Sequence, residues 1–382
     1  MKILLASTGS DISSGAVRCL IELAENLSIR GIEVLVIIPK PGNIEPALMA
    51  RNIRYKYVHE YHSWYTSEKH KKNHFLLKRI LNVKTFFQIR KLIKSEHIDI
   101  VHENALTAYV AAKAAQSSGI PVVWHIREFM EEDLGISFYN KKYSEQIINK
   151  SDILIAISQS VADRWKSSFS VPIEVVYDGV PVENYFVERN GFENNREIKI
   201  IIYGRIVEPK GQLFFFHGMQ RVLESIHDPV KIYWAGFIED EDYYHQICDF
   251  IKSSGMKERV EYLSQVSDMK EVLKDMDIVA VCSHQEGFGR VTVESMLAGC
   301  IVVGADTGAT KEIISNGHNG YLYREADLSN FVDTMTKTIR NIDEARKMIP
   351  YAQETARDRF SIETNINSII RVYNRVLGDD SI

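Results

Sequence analysis

Glu286 and Glu294 lie eight positions apart in Glu286-Gly287-Phe288-Gly289-Arg290-Val291-Thr292-Val293-Glu294, with two glycines between them. Such a pair could act as the acid and nucleophile of glycoside hydrolysis, which needs the carboxyls roughly 5–5.5 Å apart. It could instead ligate a cation, or accept hydrogen bonds from the hydroxyls of a bound polyol. The flanking elements favour the last reading. The apolar run Asp277-Ile278-Val279-Ala280-Val281-Cys282 reads as a buried parallel strand, and Val291 to Leu297, stopped by Gly299, reads as a short helix. Strand, glycine loop and helix together place free backbone N–H groups and the positive end of a helix beside Glu286. Carboxylates next to an anion site suit a ligand carrying both phosphates and hydroxyls, such as a nucleotide sugar.

A second cluster has the spacing Gly204-Arg205-x4-Lys210-Gly211, after the apolar run Ile198 to Tyr203. At a strand end, Arg offers a planar fork and Lys a point charge, a combination that can neutralise a diphosphate. Other motifs carry less. Asp275-Met276-Asp277 has the D-x-D form of a metal site, but it precedes a buried strand and reads as a helix end and strand start. Glu239-Asp240-Glu241-Asp242 reads as a solvated acidic loop, and Cys282 and Cys300 read as core thiols. No G-x-G-x-x-G follows the first strand, which weakens a dehydrogenase reading. Glu208-Pro209-Lys210-Gly211 lacks the remaining residues of a Walker A loop.

These segments need two sheets to position them. The 382 residues, 45% apolar and 25% charged, suit two soluble domains. Ile3 to Ala6, Glu33 to Ile38, Asp99 to His102, Pro121 to His125 and Ile153 to Ile157 alternate with helical patterns. A second series runs through Ile198 to Tyr203, Val230 to Ala235, Val260 to Leu263, Ile278 to Cys282 and Ile301 to Gly304. This predicts an α/β fold of two doubly wound, Rossmann-like domains facing across a cleft. The polar stretch Val187 to Glu197 reads as the linker. The expected boundaries are 1–187 and 188–359, with a C-terminal helix at about 360–382 packing back on the first domain. No signal peptide or membrane span is expected. Four unpaired cysteines fit a reducing, cytoplasmic setting.

Charge is uneven. Residues 1–100 carry sixteen Lys/Arg against nine Asp/Glu, a net of +7, and the remainder carries −12. Nine cations between Lys69 and Lys94 face the single acid Glu68, interleaved with apolar residues from Leu76 to Ile93. One reading is contact with an anionic membrane surface or a lipid-phosphate acceptor, which would make the protein peripheral on the inner face of the plasma membrane. The other is a helix packed on its own sheet with a solvated basic face.

Taken together, the segments resemble the retaining glycosyltransferases of family 4, with the two-domain GT-B fold, over nearly the whole chain. The match rests on Glu286-Gly287-Phe288-Gly289 with Glu294 as the E-x7-E motif and on Gly204-Arg205…Lys210-Gly211 as the phosphate element. Ala156-Ile157-Ser158, Tyr177-Asp178-Gly179-Val180 and Thr307-Gly308-Ala309 with Glu312-Ile313-Ile314 fall at recurring signatures. Asp178 stands where the family usually has Asn, and Lys311 where it usually has Pro. The resemblance implies that Arg205 and Lys210 bind the donor diphosphate, Glu286 the transferred sugar and Glu294 the ribose. The backbone near Gly287, Phe288 and Gly289 would line the sugar-phosphate pocket. Gly15, in Ser13-Ser14-Gly15, corresponds to the family's glycine loop, and His125 to its cleft histidine. A histidine at a strand end is otherwise more often structural. The implied activity is hexosyl transfer with retention, without a divalent metal or other cofactor, from a nucleotide-diphosphate sugar to a glycan or lipid-linked acceptor in surface polysaccharide assembly. No nucleic-acid partner is expected. The alternatives are a nucleotide-sugar epimerase on the same fold, a glycoside hydrolase and an inactive nucleotide-sugar-binding protein.

Overall fold

The computed structural model describes residues 1–67, 74–189 and 197–378. Most of the expected linker (190–196) and the start of the basic segment (68–73, with Glu68, Lys69, Lys71 and Lys72) lie outside the described residues. The chain packs as two units, Met1–Gly179 with Ile362–Ile382, and Val180–Ser361. The sequence reading put the first boundary at 187/188. Hydrogen bonding draws it earlier: Val180 N–H donates to the Phe360 carbonyl and Val187 N–H to the Leu297 carbonyl, tying 180–187 into the second unit.

The first unit contains β1 (Lys2–Ala6), β2 (Glu33–Ile38), β3 (Arg54–Tyr57), β4 (Tyr65–Ser67), β5 (Ile100–Glu103), β6 (Val122–Ile126), β7 (Ile136–Phe138), β8 (Ile153–Ala156) and β9 (Ile173–Val175). Seven of them form a parallel sheet in the order β3-β2-β1-β5-β6-β8-β9, and β4 and β7 form an antiparallel pair. β1, β6 and β8 are buried along nearly their whole length, which is why they read as continuous apolar runs. The helix Ile362–Leu377 belongs to this core. Its Ile366, Ile369, Val372 and Tyr373 pack with Leu20, Leu23 and Val36, and Asn365 Nδ2 donates to the Tyr177 carbonyl.

The second unit contains β10 (Ile198–Tyr203), β11 (Val230–Ala235), β12 (Val260–Tyr262), β13 (Ile278–Val281), β14 (Ile301–Ala305) and β15 (Tyr321–Tyr323). These form one parallel sheet in the order β12-β11-β10-β13-β14-β15. Each sheet has one place where successive connections leave in opposite directions: between β1 and β5, and between β10 and β13. In open parallel sheets, the loops beyond the carboxyl ends at that switch point splay apart and leave room for a ligand. Among the described residues, no helix is long and apolar enough to cross a membrane.

Candidate functional site

The loop after β10 and the loop after β13 meet at the switch point of the second sheet, where Ile200 pairs with Ile278 and Ile201 with Val279. Gly204 N–H closes β10 onto the Ala235 carbonyl. The chain then passes Arg205 and makes a 3-10 turn, Glu208–Lys210. Gly211 follows at φ +71°. A Cβ there would stand 2.1 Å from the Cys282 carbonyl oxygen, so only glycine lets this loop lie against the end of β13. His284 N–H donates to the Pro209 carbonyl across the same contact.

This approach brings together residues 76 positions apart. Lys210 Nζ donates to Glu286 Oε1 at 2.6 Å, and Ser283 Oγ donates to the same oxygen at 2.6 Å. Burial alone would raise the Glu286 carboxyl, but Lys210, Ser283 and the charge of Arg205 hold it below the usual carboxylate range. Glu286 is therefore ionised at neutral pH, which unsuits it to the general-acid role of a hydrolase. Its backbone is held from behind. Ala309 N–H donates to the Glu286 carbonyl, and Gly308, at φ +50°, lies so close that a Cβ would stand 2.5 Å from that carbonyl oxygen. The Thr307-Gly308-Ala309 signature thus acts as a brace for the carboxylate loop.

Phe288 is buried and meets Phe360 edge-on, with ring centroids 5.7 Å apart. It anchors the loop, and Gly289, at φ +91°, opens the helix Arg290–Leu297. Glu294 is buried on that helix with Oε1 3.4 Å from Arg290 Nε. The helix is pinned to the end of β10 by Tyr203, whose hydroxyl donates to the Val291 carbonyl. Arg205 is half-exposed and pairs with Glu239 at 2.5 Å. Each predicted residue of the second unit therefore sits on the loops at the switch point or, for Glu294, within the helix that follows them. Each carboxylate has its own cation: Lys210 for Glu286, Arg290 for Glu294.

The lesser motifs resolve structurally. Asp277 accepts from Lys199 N–H and pairs with Arg346 at 3.1 Å, so D-x-D secures the sheet to a helix. Asp240 caps the helix Glu241–Ser253 through Tyr243 N–H. Burial pushes the Cys282 and Cys300 thiols up to about 12. Among the described residues, no group of three or more His, Cys, Asp or Glu is arranged to hold a metal ion.

In the first unit, Gly15 opens the helix Gly15–Ile29, and a Cβ there would meet nothing within 4 Å. His125 is fully buried on β6. Arg127 Nη2 lies 3.2 Å from His125 Nδ1. A guanidinium has only N–H groups to offer, so Nδ1 accepts and the neutral ring carries its proton on Nε2. That Nε2 has no hydrogen-bond partner within the protein. Burial, reinforced by Arg127 and His102, holds His125 well below the ordinary histidine range. Arg127 is itself fixed by Asp178 at 2.5 Å, both side chains being buried. The sequence reading named Asp178 only as a departure and gave Arg127 no role. Nothing in their spacing signals the pair, which joins the residue just past β6 to the segment just past β9, with β8 between those strands.

Three more carboxyls, Glu103 and Glu128 buried and Glu60 half-buried, gather around the Leu106–Ala112 segment, and the sequence showed no sign of them. Glu60 accepts from Tyr109 and Val110 N–H, Glu103 from Ala112 N–H and Glu128 from Leu106 N–H. Beside them a cavity of about 100 Å³ opens at the carboxyl ends of β1, β2 and β3, lined by Ser7, Thr8, Glu60, His62 and Trp64. Burial raises Glu60 to about 7, Glu103 to about 8 and Glu128 to about 8. Between the ordinary carboxyl value and these values the folded chain holds protons that the unfolded chain has released, so stability falls as pH rises through that window. His102, pushed to about 3 by burial and Arg127, acts the other way, but only below its unfolded value of about 6.5. Thermal melts at constant ionic strength should therefore show lower stability at about pH 8.5 than at about 6.5. The slope should be at most roughly 1.4 kcal/mol per pH unit per carboxyl. Equal or rising stability across that interval would refute the buried-acid account.

Comparison with known proteins agrees with this fold. A family model described as "Glycosyltransferase Family 4" matches residues 13–184, and one described as "Glycosyl transferases group 1" matches residues 186–355. Two parallel Rossmann-like sheets with charged loops at a switch point, matched by these models over most of the chain, define its class. The chain belongs to the family-4 glycosyltransferases and has the GT-B fold. It is 23% identical to N-acetyl-alpha-D-glucosaminyl L-malate synthase of Bacillus anthracis, covering 77% of this chain and 79% of the relative. It is 24% identical to the lipopolysaccharide core biosynthesis mannosyltransferase LpcC of Rhizobium leguminosarum bv. viciae, covering 62% and 68%. Among solved structures, Anabaena Alr3699/HepE in complex with UDP and glucose superposes with a TM-score of 0.78 at 21% identity, covering 98% of this chain and 100% of that one.

Proposed function

We propose that the protein transfers a hexosyl group, with retention, from a nucleoside-diphosphate sugar to a hydroxyl of a lipid-linked glycan in surface polysaccharide assembly. The observation that carries the reading is the Lys210–Glu286 pair at the switch point of the second sheet, beside the helix Arg290–Leu297. A cation and an ionised carboxylate sharing one locus match the two halves of a sugar phosphate. Two relatives support it by analogy: HepE was crystallised with UDP and glucose, and LpcC is named for lipopolysaccharide core biosynthesis.

In this reading Lys210 and Arg205 neutralise the diphosphate, a task that needs no divalent metal. Glu286 accepts from hydroxyls of the transferred sugar, and Glu294 from the ribose. The bond from the anomeric carbon to the phosphate oxygen breaks as the acceptor oxygen bonds to the same face. The departing phosphate oxygen takes the acceptor proton, giving a nucleoside diphosphate and the new glycoside. Preorganised cations stabilise the charge that develops on that oxygen. The first unit is assigned the acceptor, with the cavity near Glu60 as its pocket. Gly15 leaves the first turn of its helix open to an anionic group, and His125 Nε2–H, buried in this structure, donates to a substrate hydroxyl only when the chain around it opens.

The test is a thermal-shift screen with nucleotide sugars, followed by product analysis with the donor that binds. A donor at 100 times its Kd should add about 2.7 kcal/mol of stability. A new glycoside supports transfer; free sugar, an epimerised donor or no turnover each overturns it in favour of a rival. Arg205→Ala should weaken nucleoside-diphosphate binding by roughly 10–150-fold, the loss of charged hydrogen bonds worth about 1.5–3 kcal/mol. It should leave nucleoside binding nearly unchanged, and equal losses for both ligands would remove Arg205 from the diphosphate.

A further inference from the structure

The helix Phe75–Glu96 buries Phe75, Ile89, Leu92 and Ile93 but leaves a second apolar stripe outside. Its inward face is partly polar: Asn82 bonds to both backbone groups of Tyr61, and Thr85 Oγ1 donates to the His59 carbonyl. Its outward face carries Leu76 at 71% exposure, Ile80 at 67%, Val83 at 52% and Phe87 at 58%. The spacing i, i+4, i+7, i+11 puts these four on one stripe about 16 Å long, with Leu77 and Leu81 exposed beside it. Large apolar side chains stacked outward along three turns are not the scatter of single exposed residues that any protein surface shows.

Charge continues the same stripe. Arg90, Lys91 and Lys94 follow Phe87 toward the C-terminal end, and Lys84 lies alongside, all exposed. The helix has no acid before Glu96, and Glu96 is engaged by Lys2, Arg54 and Lys56. The exposed cations therefore gather toward the C-terminal end of the apolar stripe, with Lys84 beside it; the sequence leaves membrane contact and a solvated basic face as the two readings of this segment.

We propose that this stripe is a membrane-docking surface. Leu76, Ile80, Val83 and Phe87 enter the boundary between headgroups and acyl chains, while Lys84, Arg90, Lys91 and Lys94 lie on anionic headgroups. Charge complementarity selects this occupant. A second copy docked through the same stripe would bring only another apolar and basic surface, with no free acid to face Lys84, Arg90, Lys91 and Lys94, whereas anionic headgroups supply that charge. The helix lies on the bilayer; it is not apolar enough to cross it. The surface would bring the enzyme to a lipid-borne substrate, but the inference stands without the glycosyl-transfer reading.

The test is cosedimentation of the full chain with phosphatidylcholine vesicles and with vesicles containing phosphatidylglycerol, at low and high salt. The wild type should bind the anionic vesicles, and salt should weaken that binding without abolishing it. The surface variant Leu76→Ser/Ile80→Ser/Val83→Ser/Phe87→Ser, checked for unchanged melting, should lose at least about tenfold in partition at low salt, because it removes several buried apolar groups. Lys84→Gln/Arg90→Gln/Lys91→Gln/Lys94→Gln should remove the preference for anionic vesicles. No binding by the wild type, or full binding by the serine variant, overturns the proposal. So does a self-associating wild type that the serine variant turns into a monomer while neither binds vesicles. Because vesicle binding needs no donor, its failure leaves the transferase reading untouched, and the reverse also holds.

Discussion

Glu286→Gln is expected to lower kcat/KM by roughly 30–150-fold while the melting temperature stays within a few degrees of wild type. The substitution keeps the shape of the side chain, so Ser283 can still donate to the amide oxygen, and the backbone bond from Ala309 N–H to the Glu286 carbonyl is untouched. What disappears is the negative charge facing Lys210. A hydrogen bond to a charged partner is worth about 1.5–3 kcal/mol, and a loss of 2–3 kcal/mol in transition-state binding gives the stated factor. The measurement is initial-rate kinetics with the donor found in the binding screen, paired with a melt of the same sample. Wild-type turnover would dismiss Glu286 from the sugar site. Collapse of the melting transition would mean that the carboxylate serves the fold through Lys210.

Gly211→Ala should damage stability and nucleotide binding together. The residue sits at φ +71°, where any side chain is strained, and its Cβ would stand 2.1 Å from the Cys282 carbonyl oxygen and 2.9 Å from the Cys282 carbonyl carbon. The backbone at the end of β13 cannot yield without moving Ser283 and Glu286. A cost above about 2 kcal/mol is expected, combining left-handed strain with overpacking. Gly255→Ala is the matched control in the same unit: its φ is +75°, but a Cβ there would meet nothing within 4 Å. That variant should lose only about 1 kcal/mol. Comparable losses from the two, measured by denaturant titration, would show that backbone strain alone explains Gly211 and that the close approach to Cys282 carries no weight.

Much of the architecture was legible because parallel strands are buried on both faces. Runs such as Ile278 to Val281 and Ile198 to Tyr203 announce themselves without any partner in view. The strands that escaped notice are Arg54–Tyr57, Tyr65–Ser67, Ile136–Phe138, Ile173–Val175 and Tyr321–Tyr323, each three or four residues long, the first mostly exposed and the others mostly half-buried. So short a segment becomes a strand only when a neighbouring edge supplies its hydrogen bonds, and composition does not record that neighbour.

The candidate site divides in the same way. Residue types and local order were enough to mark Gly204, Arg205, Lys210 and the Glu286–Glu294 loop, because glycine at a strand end and charge in a short loop are local properties. That Lys210 grips Glu286, that Gly308 braces it, and that Asp178 holds Arg127 against His125 came only from the tertiary structure. The same holds for the outward apolar stripe on Phe75–Glu96. The sequence alone determined two parallel α/β units and which loops carry charge and glycine, since strand burial and turn chemistry act over a few residues. The fold decided which charges pair and which apolar face stays uncovered, because strand order at a switch point joins segments far apart in the chain and no local pattern encodes that order.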